Sequence, residues 1–75
     1  MEEKVLEILK GVKSNVDYLN EDGLVDKGII ESFDIIQIMT ALMDEFSISI
    51  EATDIEPENV NSYKAICDLV RRKMA

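Results

Sequence analysis

Apolar residues recur at helical spacing in three stretches of the chain. The first stretch places on one helix face Val5, Ile8, Leu9, Val12 and Val16. The second, residues 32–46, has a predicted core stripe of Ile35, Ile38, Met39, Leu42 and Phe46. Ile36 lies at the margin of that stripe and is predicted to be buried too. The third stretch buries Ile66, Leu69 and Val70 and opens near Asn61 or Ser62, which are both good helix caps. The pattern therefore predicts three main helices.

The segments between these helices are predicted to be irregular. Residues 20–30 form a long loop, anchored by the apolar residues Leu24, Val25, Ile29 and Ile30. Residues 47–51, SISIE, alternate in polarity but are too isolated to build a sheet. Thr53 and Glu56 have the spacing of a capping box, which predicts a short helical turn that begins at Thr53. The predicted fold class is all-α: a small bundle of three main helices plus one short helical turn, with the long loop between the first and second helices.

Length and charge narrow the function classes. With 75 residues, the chain is expected to form a single domain, residues 1–75. Its 16 acidic and 8 basic residues give a net charge of −8. A nucleic-acid binder needs the opposite sign, and an anionic membrane surface is disfavoured for the same reason. No stretch is long enough to insert across a bilayer, and the charged start MEEKVLEILK is unlike a signal peptide. A cytoplasmic location is the expectation.

Residue types also argue against catalysis and metal binding. The chain has no histidine and one cysteine, Cys67, so neither the usual base of a catalytic triad nor a zinc ligand set is present. Cys67 lies beside the apolar stripe of the last helix, where a buried, inert thiol is expected. We therefore predict that the protein is not an enzyme and has no metal ligands.

A serine stands where the long loop meets the second helix. Taken alone, Ser32 is best explained as a helix N-cap, a position that serine favours. Phe33 follows it off the apolar stripe and is predicted to be at least partly exposed. A helix N-terminus also favours an attached phosphate, through its free N–H groups and its dipole. Ser32 and Phe33 together therefore suggest a docking and attachment point.

The chain resembles the carrier-protein family, which includes acyl, peptidyl and D-alanyl carrier proteins. The resemblance covers nearly the whole chain: its length and acidity, its long first loop, the serine that opens the second helix, Phe46 that closes it, and the tail at residues 54–62. The family's attachment motif Asp-Ser-Leu reads Glu31-Ser32-Phe33 here. Phe33, with Gly28-Ile-Ile before the motif, is more similar to D-alanyl and other free-standing carriers than to fatty-acid carriers. Glu31 is expected to cap the helix poorly and to lower the efficiency of modification.

The resemblance implies that Ser32 bears 4′-phosphopantetheine through a phosphodiester, with an acyl or aminoacyl cargo held on its thiol as a thioester. It implies as partners a phosphopantetheinyl transferase, a cargo-loading ligase or synthetase, and downstream acyl or aminoacyl transferases, which a monomeric carrier would serve in a specialised pathway.

The exposed face of the second helix is the predicted partner surface. Its predicted residues are Glu31, Phe33, Asp34, Gln37, Thr40, Met43 and Asp44. Phe33 and Met43 are the expected apolar contacts, and fatty-acid carriers lead us to expect acids near Gln37 and Met43. An alternative remains open, in which the chain is a non-catalytic helical interaction module and Ser32 is only a helix cap.

Overall fold

The computed structural model describes all 75 residues as a bundle of α-helices. The helices are α1 (Glu2–Val12), α2 (Ser32–Phe46), α3 (Pro57–Val60) and α4 (Tyr63–Met74). A 3-10 turn, Ala52–Asp54, lies between α2 and α3. Residues 47–51 form no strand. The all-α prediction is confirmed, and the bounds predicted for the second helix match those of α2.

One apolar core holds the helices together. α1 packs against both α2 and α4, and α3 packs against α4. The core contains no buried charged or polar side chain. Its fully buried members are Val5, Leu9, Leu24, Ile38, Leu42, Val60, Ile66, Leu69 and Val70. Burial of these side chains is the dominant stabilising term available to so short a chain.

The first helix ends earlier than its apolar pattern predicted. α1 stops at Val12, and Lys13 is already extended, with φ −146°. Tyr18 is buried, and its hydroxyl donates a hydrogen bond to the backbone carbonyl of Lys13. This bond satisfies a carbonyl just beyond the end of the helix. The prediction that Val16 belongs to the helical stripe is wrong, since Val16 lies beyond α1 and is only half-buried.

The long loop before α2 is anchored by apolar residues, as the sequence predicted, and also by hydrogen bonds that the sequence did not predict. Leu24 and Ile30 are buried in the core, whereas Val25 and Ile29 are half-buried. In addition, the side-chain oxygen of Asn61 accepts the backbone N–H groups of Val25 at 2.8 Å and Asp26 at 3.1 Å. The Asn61 carbonyl accepts the N–H of Leu24 at 2.8 Å. The junction of α3 and α4 therefore fixes the loop that leads to Ser32.

The short helical turn begins elsewhere than predicted. The 3-10 turn opens after Glu51, whose N–H donates to the Asp54 carboxylate at 2.9 Å, and α3 opens at Pro57. Proline suits the first helical position because its φ is preset and its missing N–H needs no partner there. The capping box predicted at Thr53 is therefore wrong. The predicted cap of the last helix is confirmed, because Ser62 accepts the N–H of Ala65 at 3.0 Å.

The first and last helices are joined by polar contacts as well as by the core. The Tyr63 hydroxyl donates to the backbone carbonyl of Glu2 at 2.8 Å, and the Arg71 guanidinium pairs with the Glu2 carboxylate. None of the helices combines the length and the apolar character that crossing a membrane requires.

Candidate functional site

Ser32 is the first residue of α2, and its side chain is exposed. The N-cap position is taken by Glu31, in an extended conformation, and the capping box at this end is formed by the side chains of Glu31 and Asp34, not by Ser32. The expectation that Glu31 caps the helix poorly is therefore wrong. The alternative in which Ser32 is only the helix cap does not fit, because α2 begins at Ser32 and Glu31 occupies the N-cap position. The hydroxyl is left available to react at the positive end of the helix dipole.

Asp34 takes part in closing the first turn of α2. Its Oδ2 atom accepts the backbone N–H of Glu31 at 3.0 Å and lies 3.4 Å from the Lys13 ammonium. The bond from the Glu31 N–H lowers the pKa of the Asp34 carboxyl, and Lys13 acts in the same direction. Asp34 is half-buried, so the prediction that it lies on the exposed face of the helix is wrong. The side chain has turned instead toward the end of α1.

The exposed side of α2 forms a continuous row one helix face wide. We call this row the outer stripe, and its residues are Phe33, Ile36, Gln37, Thr40 and Asp44. Phe33 is 70% exposed, as predicted, and Ile36 is 60% exposed. Residues three apart on a helix are surface neighbours, so Phe33 and Ile36 form one apolar pair next to Ser32.

Two apolar residues of α2, Ile36 and Met43, differ in exposure from what the sequence predicted. Ile36, predicted to be buried, is exposed, because it follows Ile35 by roughly 100° of helical rotation and so leaves the core side. Met43, predicted to be exposed, is half-buried and packs against the core. Methionine is flexible enough to fold back in this way. Ile36 lies three residues after Phe33, and this spacing could have indicated an exposed apolar pair. The helical periodicity of the core residues led instead to the prediction that Ile36 is buried.

The remaining candidate groups do not gather into a second site. Cys67 is buried, as predicted, and burial raises the pKa of its thiol. No group of three or more acidic or cysteine side chains is arranged to hold a metal ion. Ser32 and the outer stripe therefore remain the candidate site.

The site is thus an exposed serine that opens the second helix of a small all-helical bundle. No family model matches the chain, and no solved structure does. The chain is 38% identical over 53 residues to the acyl carrier protein of Buchnera aphidicola subsp. Baizongia pistaciae (strain Bp). That match covers 71% of this chain and spans 65% of the relative's length. The chain is thus similar to part of an acyl carrier protein, and its all-helical fold does not conflict with that similarity.

Proposed function

We propose that the protein is a carrier that holds an acyl or aminoacyl group on a 4′-phosphopantetheine arm attached to Ser32. The observation that carries this proposal is the exposed Ser32 side chain, which takes no part in the capping box, at the first residue of α2. The similarity to an acyl carrier protein supports it from a second direction. The chain itself supplies no catalytic group in this proposal, and a transferase activates the hydroxyl.

The residues around Ser32 fit an attached phosphodiester. The free N–H groups and the dipole of a helix N-terminus favour a negative charge at this place. Two carboxylates lie next to Ser32. Asp34 accepts the Glu31 N–H and pairs with Lys13, so its charge is partly balanced, whereas the Glu31 side chain is exposed. When bound, the arm would supply a thiol that holds the cargo as a thioester. The part of this chain is to present the Ser32 hydroxyl and to be recognised.

Recognition is assigned in this proposal to the outer stripe and Glu31. Phe33 and Ile36 offer an apolar surface beside the attachment point, and large exposed apolar groups often mark binding sites. Gln37 and Thr40 continue the stripe without charge, and Asp44 adds an acid at its far end. A partner with an apolar recess and a modest basic rim would match this surface. That surface favours a specialised pathway with acyl, aminoacyl or D-alanyl cargo.

The partners proposed are a phosphopantetheinyl transferase, a cargo-loading ligase or synthetase, and downstream acyl or aminoacyl transferases. We propose further that the chain acts as one monomeric domain in the cytoplasm. It would bind no nucleic acid and would not insert into membranes.

The test is the intact mass after incubation with a broad-specificity transferase, coenzyme A and magnesium. Wild-type protein should gain the mass of one phosphopantetheine, and Ser32→Ala should gain nothing. Ser14→Ala is the matched control, because it removes another exposed serine, and it should be modified like wild type. Both variants should keep the helical circular dichroism of the wild type. Modification of Ser32→Ala, or none of wild type with several transferases, would remove the proposal.

A further inference from the structure

A polar connection joins the end of α1 to the residue before Ser32. The Lys13 ammonium lies 3.4 Å from Oδ2 of Asp34, across a sequence separation of 21 residues. The same oxygen accepts the backbone N–H of Glu31 at 3.0 Å. The position of the Glu31 peptide, and with it the start of α2 at Ser32, therefore depends on a carboxylate that is held by Lys13, the residue just after α1.

The α1 side of this connection is itself fixed to the core. The buried Tyr18 side chain donates its hydroxyl hydrogen to the Lys13 carbonyl, so the backbone from which the lysine extends has little freedom. The side chains of Lys13 and Asp34 are 39% and 17% exposed. An ion pair that is partly shielded from water is screened less by salt than a fully exposed one.

From these contacts we infer that Lys13 is a positioning residue for the modification of Ser32, and that it acts through Asp34. The inference rests on the proposed carrier function. Without the ammonium, the Asp34 carboxylate loses one of its two partners and is drawn toward water, which loosens its bond to the Glu31 N–H. Ser32 then enters the transferase active site with a less defined orientation. Misorientation of a reacting hydroxyl lowers the rate of the chemical step.

The matched pair of variants is Lys13→Met and Lys10→Met. Each removes one positive charge near the end of α1, but Lys10 is exposed and has no ion-pair partner. We expect Lys13→Met to lower kcat for phosphopantetheinyl transfer about two- to fivefold, the range for a partly exposed ion pair. Lys10→Met should leave kcat unchanged, and Lys13→Arg should restore most of the loss. A direct contact between Lys13 and the transferase would instead appear as a higher KM at unchanged kcat.

Coupling through Asp34 is tested in a double-mutant cycle. Asp34→Asn keeps an oxygen that can accept the Glu31 N–H but removes the charge that Lys13 contacts. In that background Lys13→Met should have no further effect, since the two residues act as a unit. An equal effect of Lys13→Met in both backgrounds would overturn the inference.

Amide hydrogen exchange gives a readout that needs no transferase. The Glu31 amide should exchange faster in Lys13→Met than in wild type, and Lys10→Met should match wild type. Equal exchange and equal kcat for the two Met variants would overturn the positioning role. If wild type is not modified at all, the carrier proposal fails, and the Glu31 amide still decides whether Lys13 orders the start of α2.

Discussion

The helices α2 and α4 both bury an apolar stripe, but their outer surfaces differ. The exposed side of α4 is covered by paired charges: Lys64 with Asp68, Arg71 with Asp68 and Glu2, and Lys73 with Asp54. On α2, only Asp34 is paired, and the exposed side carries Phe33 and Ile36.

This difference leaves Phe33 and Ile36 uncovered on α2, whereas most charges of α4 are paired within the chain. Charged groups satisfied within the chain have little left to offer another molecule, although each exposed pair stabilises the fold only slightly. Exposed apolar groups contribute little to the isolated fold and become favourable only when something covers them. The charges of α4 are therefore mostly used within the chain, whereas the exposed apolar side chains of α2 are left free for contact with another molecule.

The largest expected effect compares the same substitution on the two helices. Ile66→Ala on α4 removes a fully buried side chain and should lower the free energy of unfolding by about 2–5 kcal/mol. Ile36→Ala on α2 removes an exposed one and should change it by less than about 0.5 kcal/mol. Urea titration of both variants measures the contrast. A large loss of stability for Ile36→Ala would mean that the outer stripe belongs to the core.

The next effect concerns loading of the cargo. If the ligase covers Phe33, Phe33→Ala should lower kcat/KM for loading about ten- to a hundredfold, because burying a large apolar side chain is worth roughly 1.5–3 kcal/mol. Leu19→Ala serves as the control, since Leu19 is also a large exposed apolar residue but lies outside α2. Equal effects of the two substitutions on loading would show that exposure alone, and not the outer stripe, matters.

A smaller effect on stability is expected at Asn61. This residue lies between α3 and α4 and is hydrogen-bonded to the loop that precedes α2. Asn61→Ala leaves the N–H groups of Val25 and Asp26 without their acceptor. Because water reaches part of this site, the loss of stability should be about 1 kcal/mol. Amide exchange should accelerate at Val25 and Asp26 and stay unchanged in the middle of α4. Unchanged protection at both loop amides would show that the buried Leu24 and Ile30 hold the loop alone.

The smallest expected effect is a change in how the free energy of unfolding falls at acid pH. The pKa of Asp34 is lowered in the folded chain, so its contribution is present above the unfolded pKa and is lost as pH falls through the folded value. Wild type should therefore lose more stability than Asp34→Asn as pH is lowered from neutral through the unfolded pKa and then through the lower folded pKa of Asp34. Denaturant titrations over a pH series measure the two slopes. Parallel curves would mean that Asp34 gains nothing from Glu31 and Lys13.

The sequence predicted features that depend on local periodicity and failed where distant residues meet. The bounds of α2, the Ser62 cap and the buried loop residues follow from spacing and residue type. The pairing of Lys13 with Asp34 and the bonds from Asn61 to the loop join residues far apart in the chain, and no local pattern encodes them. Ile36 and Met43 were misplaced because both lie on the border of the apolar stripe, where side-chain length and flexibility decide which one turns inward.

The contacts of Glu2 with Tyr63 and Arg71 have a consequence for the order of folding. They connect residues separated by 61 and 69 positions, the kind of closure whose entropic cost grows with the length of chain enclosed. α3 and α4 are neighbours in sequence and pack together at little such cost. We therefore expect the α3–α4 pair to form early and α1 to dock late, so that substitutions at Glu2 mainly accelerate unfolding and leave the folding rate nearly unchanged.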